Sequence, residues 1–155
     1  MKVVINNYFW LIIFVPLILG FISGRIGQVD KWYMKTLKKP RFNPPNYVFP
    51  IAWTILYLLI GVSYYYGLYN QPAILWVLPI IHLLFNFSYS PIFFYYKQVL
   101  GGAILTTIIL ITALMLMYQF YYYSKSKLAV YLLIPYIIWL LFANYLAWSI
   151  YIINQ

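Results

Sequence analysis

The chain has 155 residues, 66% of them hydrophobic, and ten Lys/Arg against a single acid, Asp30. That composition leaves too little polar surface for a water-soluble globule, so lipid is the solvent. The formal charge of +9 resembles a nucleic-acid binder's, but the cations sit at the ends of apolar runs, where headgroups account for them and nucleic acid is excluded as a partner.

About 20 apolar residues cross a bilayer as a helix, and five such runs divide the chain into one all-α integral membrane domain with a long structured first loop. The predicted spans cover 7–25, 48–69, 74–96, 99–123 and 128–153, with a lid loop over 26–47. The first has a signal-like basic start but no small-residue cleavage site. It carries Pro16 as a bend, Arg25 to snorkel, and Gly20-Phe-Ile-Ser-Gly24, a small-residue spacing suited to internal packing or to a dimer face. The connections after the second, third and fourth spans are short, which predicts that consecutive spans are antiparallel neighbours. Gly102 and Thr106 offer the fourth span a similar small-residue face.

The lid contrasts with everything around it. It holds Lys31, Lys35, Lys38, Lys39 and Arg41, and Pro40, Pro44 and Pro45, with Pro50 just beyond it. The prolines restrict the backbone and block helix continuation, so an ordered cap is predicted. Arg25, the lid cations and Lys97 outnumber Lys2, Lys125 and Lys127 on the opposite side, which predicts a cytoplasmic lid. Trp32, Tyr33 and Phe42 are placed to close over a pocket. Lys38, Lys39 and Arg41 suit lipid phosphates or the carboxylates of a ligand.

No cysteine is present and His82 is the sole imidazole. Thiolate chemistry, a metal site of several His or Cys ligands, paired-acid catalysis and a Ser-His-acid triad therefore lack material. Inside the membrane the polar material is neutral. His82, Asn86, Tyr89 and Phe93 recur at helical spacing on one face, as an interhelical hydrogen-bond seam or as a ligand surface. Trp53, Tyr57, Gly61 and Tyr64 share a face of the second span, and Trp139, Ala143, Leu146 and Ile150 one of the fifth. Such stripes make core. With Gly61 and Ala143 leaving room beside the indoles, they also make a slot for a flat apolar ligand.

Trp32-Tyr33-x3-Leu37-x-Lys39-Pro40-x-Phe42-x-Pro44-Pro45, then Pro50-x2-Trp53-x3-Tyr57-x3-Gly61, closely resembles the translocator protein family (TspO/MBR, tryptophan-rich sensory proteins, once called peripheral benzodiazepine receptors). The likeness continues through Asn86-x4-Pro91-Ile-Phe-Phe94, Lys97-Gln98 and Leu133-x-Pro135-Tyr136-x2-Trp139-x2-Phe142-Ala143. The resemblance implies a five-helix bundle, commonly a homodimer, binding protoporphyrin IX, other tetrapyrroles or synthetic hydrophobic ligands beneath the first loop. It implies no required cofactor, porphyrin being ligand or substrate. Some bacterial members are reported to degrade protoporphyrin with light and oxygen through two tryptophans, which match Trp53 and Trp139. The implied ligand-contacting set is Tyr33, Phe42, Pro45, Phe49, Trp53, Tyr57, His82, Asn86, Tyr89, Trp139, Ala143 and Leu146.

Phe42 and Phe87-Ser-Tyr89 stand where the family often has Trp and Trp-x-Trp. The C-terminal sterol pattern lacks its basic residue, since only Ile152, Ile153, Asn154 and Gln155 follow Tyr151. Two other classes fit the same helices: a transporter of amphiphiles, for which membrane acids to couple protons are missing, and a membrane scaffold docking through Gly24 or through Gly102 and Thr106. The abundance of Ile, Tyr, Asn and Lys points to AT-rich coding and a bacterial cell membrane.

Overall fold

A computed structural model describes residues 9–155; Lys2 and the first predicted helical residues lie outside them. Among the described residues, five helical stretches are long and apolar enough to cross a membrane. They are α1 (Phe9–Ile26), α3 (Val48–Leu68), α4 (Val77–Ser90) with its flanking turns, α5 (Val99–Tyr122) and α6 (Lys127–Ile153). A short α2 (Lys31–Lys35) lies in the lid, which is therefore not a plain loop.

The helices close a ring in the order α1, α3, α6, α5, α4 and back to α1. The expectation that consecutive spans pack side by side fails at α3 and α4. A single 3-10 turn, Ala73–Trp76, separates them after Asn70 turns left-handed (φ 53), yet they meet chiefly through Tyr57, which reaches Asn86 and Phe87. Close backbone approach explains why. The Cβ that Gly61 lacks would collide with the Ile13 carbonyl, so α1 occupies the side of α3 that α4 would need. Gly61 thus seats α1 instead of leaving space beside the indoles.

Prolines set the remaining breaks. Pro50 and Pro79 sit in the first turns of α3 and α4, where a missing N–H costs nothing. Pro91 falls in the third span, which continues as one π turn, Pro91–Tyr95. Because Pro91 has no N–H, the Phe87 carbonyl loses its helical partner and instead accepts the Ser23 hydroxyl at 2.6 Å. One turn further, just past the end of α1, Gly27 lies so close to the Ser90 carbonyl that a Cβ would not fit. Ser23 and Gly27 dock α1 onto the proline break.

Other glycines resolve the small-residue patterns. Gly20 lies against the Tyr57 ring, whereas Gly24 faces open space. Gly102 packs on Phe93 and Thr106 is buried, its hydroxyl bonded to the Ala103 carbonyl. The expected docking face at Gly102 and Thr106 is therefore an internal contact, because α5 is enclosed by α4 and α6.

The lid is fastened at three places. Asp30 caps α2 by accepting from the Tyr33 backbone N–H at 3.1 Å, and its other oxygen lies 3.8 Å from Lys97 Nζ. Tyr33, Trp32 and Leu37 pack with Phe93, Phe94 and Ile150. At the far end of the chain, Asn154 accepts from the Lys38 N–H and donates to the Lys38 carbonyl, both at 2.9 Å.

Candidate functional site

The polar face of α4 is built into a dry seam. Tyr57 donates to Asn86 Oδ1 at 3.0 Å, and the Asn86 amide donates to the Tyr136 oxygen. Tyr136 meets His82 Nε2 at 2.9 Å, and His82 Nδ1 meets Thr112 Oγ1 at 2.8 Å. The seam ties α3, α4, α5 and α6 together, and His82, Asn86 and Tyr136 are all buried. In lipid, where helices gain little from burying apolar surface against one another, such contacts contribute roughly 0.6 kcal/mol each. Tyr136 and Thr112 had no place in the candidate set. The available signal was a polar side chain inside an apolar helix, and 19 tyrosines dilute that signal.

One turn toward the lid the chemistry changes. Trp53 stacks on Tyr57 with ring centroids 5.2 Å apart, and its edge meets Tyr136 at 6.3 Å and Trp139 at 6.4 Å. Phe49 and Phe142 close the corner against Trp139 at 6.1 and 5.8 Å. Outside this corner a groove of about 360 Å³ runs between α3 and α6, floored by Leu56 and Trp139 and walled by Ala52, Ile55, Pro135, Ile138 and Phe142. It opens sideways, toward lipid. Trp139 Nε1 is buried without a hydrogen-bond partner among the described residues, so packing orients the ring, and such orphans in native interiors call for an explanation.

The remaining candidates are spread out. Tyr33 is buried against Phe93 and Phe94, its hydroxyl donating to Asn43 Oδ1 at 3.3 Å. Burial pushes the Tyr33 phenol above its ordinary pKa, and the Asn43 bond partly opposes this. Tyr89 stacks on Phe93 at 5.5 Å. Phe42 is 68% exposed and Pro45 is exposed, so neither covers the corner. Leu146 is buried and Ala143 half-buried on α6. Lys39 folds inward, its ammonium bonded to the Met34 carbonyl and 4.7 Å from the Tyr33 ring centre, while Lys31, Lys35, Lys38 and Arg41 point outward.

Five apolar spans, a fastened lid and an indole corner open to the bilayer define an all-α integral membrane protein with an aromatic lateral groove. A sequence model of the TspO/MBR family matches residues 12–152, and the chain belongs to that family. It is 31% identical to the tryptophan-rich protein TspO of Bacillus cereus over 93% of this chain and 95% of that one. With the tryptophan-rich protein TspO of Archaeoglobus fulgidus it shares 34% identity, over 92% and 94%. The translocator protein of the pig, Sus scrofa, is 32% identical over 86% and 84%.

Proposed function

We propose that this protein is a membrane receptor or sensor for porphyrins such as protoporphyrin IX and for related flat hydrophobic ligands. The observation that carries the reading is the Trp53–Trp139 corner beside a groove open to lipid. A tetrapyrrole arriving from the bilayer meets the Trp139 ring, the one indole that lines the groove, with Trp53 behind it, and the groove falls within the size of small-molecule sites, about 300–1,000 Å³. Exposed Lys38 and Arg41 supply cations for propionates or lipid phosphates at the lid surface. We place the lid on the cytoplasmic side of a bacterial membrane, and a homodimer is the working assembly.

A photo-oxidative activity follows from the same corner. Light-excited porphyrin exchanges electrons with a stacked indole, or makes singlet oxygen beside it, without an acid or a metal. Titrating purified protein with protoporphyrin should quench its tryptophan fluorescence saturably, and absence of saturable quenching contradicts the binding reading. Light-dependent porphyrin loss should fall in Trp53→Phe and in Trp139→Phe. Unchanged loss in both variants removes the indole chemistry while leaving binding intact.

A further inference from the structure

One direction of hydrogen bonding along the seam supplies a donor and an acceptor at every link and leaves the Tyr57 hydroxyl satisfied. Tyr57 O–H donates to Asn86 Oδ1, which turns the Asn86 N–H toward the Tyr136 oxygen. The Tyr136 hydrogen is thereby directed along the 2.9 Å contact to His82 Nε2. His82 is then the Nδ1–H tautomer and donates to Thr112 Oγ1 at 2.8 Å, and the Thr112 hydroxyl continues to the Ile108 or Ile109 carbonyl at 3.0 Å. Reversing the chain flips the amide and strands the Tyr57 hydrogen in an apolar interior, which is costly.

The Tyr136 proton is therefore aimed at the lone pair of a neutral imidazole nitrogen, and neither residue is exposed to solvent. A phenol that loses only an electron becomes a very strong acid, so its oxidation is hard unless the proton leaves at the same time. Here an acceptor for the proton lies at hydrogen-bond distance. An acceptor for the electron lies on the other side, since the Trp53 ring is 6.3 Å from Tyr136 and 6.4 Å from Trp139.

We infer that Tyr136 and His82 form a proton-coupled electron donor that re-reduces the Trp53–Trp139 pair after one-electron oxidation. With porphyrin as the oxidant, this rests on the proposed function. The excited porphyrin takes one electron from an indole and becomes a radical anion, leaving an indole radical cation. Tyr136 returns an electron to the indole, its O–H bond breaks, and the proton bonds to His82 Nε2. The products are a neutral indole, a neutral tyrosyl radical and an imidazolium; dioxygen takes the electron from the porphyrin anion, giving superoxide. No charge is added to the bundle by the second step. The positive charge moves from an indole to an imidazole held by Thr112 on one side and Tyr136 on the other.

The test is flash photolysis of the full chain in lipid nanodiscs, followed by transient absorption and electron paramagnetic resonance. One arm uses bound protoporphyrin, the other a ruthenium tris-bipyridyl photo-oxidant with persulfate. The expected result is an indole radical that decays into a tyrosyl radical, more slowly in deuterium oxide than in water. Tyr136→Phe keeps the ring and should lose the tyrosyl signal, with the indole radical living several-fold longer. The isotope effect in the unaltered protein decides the matter even if that variant folds poorly. A tyrosyl signal retained in folded Tyr136→Phe, or indole decay equal in the two solvents, overturns the relay. An isotope-sensitive tyrosyl radical with ruthenium but no radical with bound porphyrin supports the relay and overturns porphyrin as its oxidant, leaving the binding reading to the fluorescence titration.

Discussion

The seam and the corner are one helical turn apart on α3 and share Tyr136, yet their chemistry is opposite. In the seam, Tyr57, Asn86, Tyr136, His82 and Thr112 pass hydrogen bonds from one to the next and exclude solvent. In the corner, the Trp139 N–H has no partner among the described residues and its ring lines an open groove. Polar groups matched by neighbours specify how helices meet, whereas a large ring that lines a lipid-facing groove offers an apolar surface to a ligand. Stability is accordingly expected to reside in the seam and ligand affinity in the corner.

Asn86→Leu attacks the seam most strongly, leaving Tyr57 and Tyr136 without their amide partner. Unsatisfied buried groups cost about 1–3 kcal/mol, so the thermal midpoint in detergent should drop clearly; an unchanged midpoint breaks the assignment of stability to the seam. Trp139→Phe should do the reverse, weakening porphyrin binding by about tenfold, or ~1.4 kcal/mol. Its midpoint should fall less than that of Asn86→Leu, because the N–H removed was already unpaired.

The lid sharpens the contrast, because its polar contacts are satisfied but lie near the surface. Asn154→Ala deletes both bonds to Lys38, contacts that typically contribute about 0.5–1.5 kcal/mol each. The variant should be cleaved faster by protease within the lid while the spans stay folded. Tyr33 adds a pH dependence. Its folded pKa is raised by burial, so its contribution is complete below the ordinary tyrosine value, about 10, and declines as pH rises beyond it. Lid protection from protease should therefore fall in alkaline solution, and Tyr33→Phe should remove that tyrosine-linked component. The smallest effect belongs to Lys97→Ala. Its pairing with Asp30 at 3.8 Å is exposed, and the midpoint should move by an amount equivalent to less than about 1 kcal/mol.

The five spans were legible because each is a long apolar run, and the lid because prolines and lysines interrupt that pattern. The face carrying His82 and Asn86 was legible from spacing, but its partners Tyr136 and Thr112 were not. Periodicity assigns a residue to a face of its own helix and says nothing about which helix stands opposite. The ring order depends on local close approaches, of which Gly61 against Ile13 and Gly27 against Ser90 are examples. A sequence shows a glycine there without showing what fills the space. Pairing of Ser23 with the carbonyl freed by Pro91 was hidden for the same reason: the acceptor is backbone and lies 64 residues away. The clamp at Asn154 likewise joins a terminal side chain to a lid backbone 116 residues earlier.

The division between seam and corner is tested most directly by protoporphyrin affinity in lipid nanodiscs for the unaltered protein, Trp139→Phe and Thr112→Val, measured in the dark. The predicted result is affinity lowered about tenfold by Trp139→Phe and unchanged by Thr112→Val, whose effect should be confined to stability. Full affinity in Trp139→Phe together with weakened binding in Thr112→Val would contradict it.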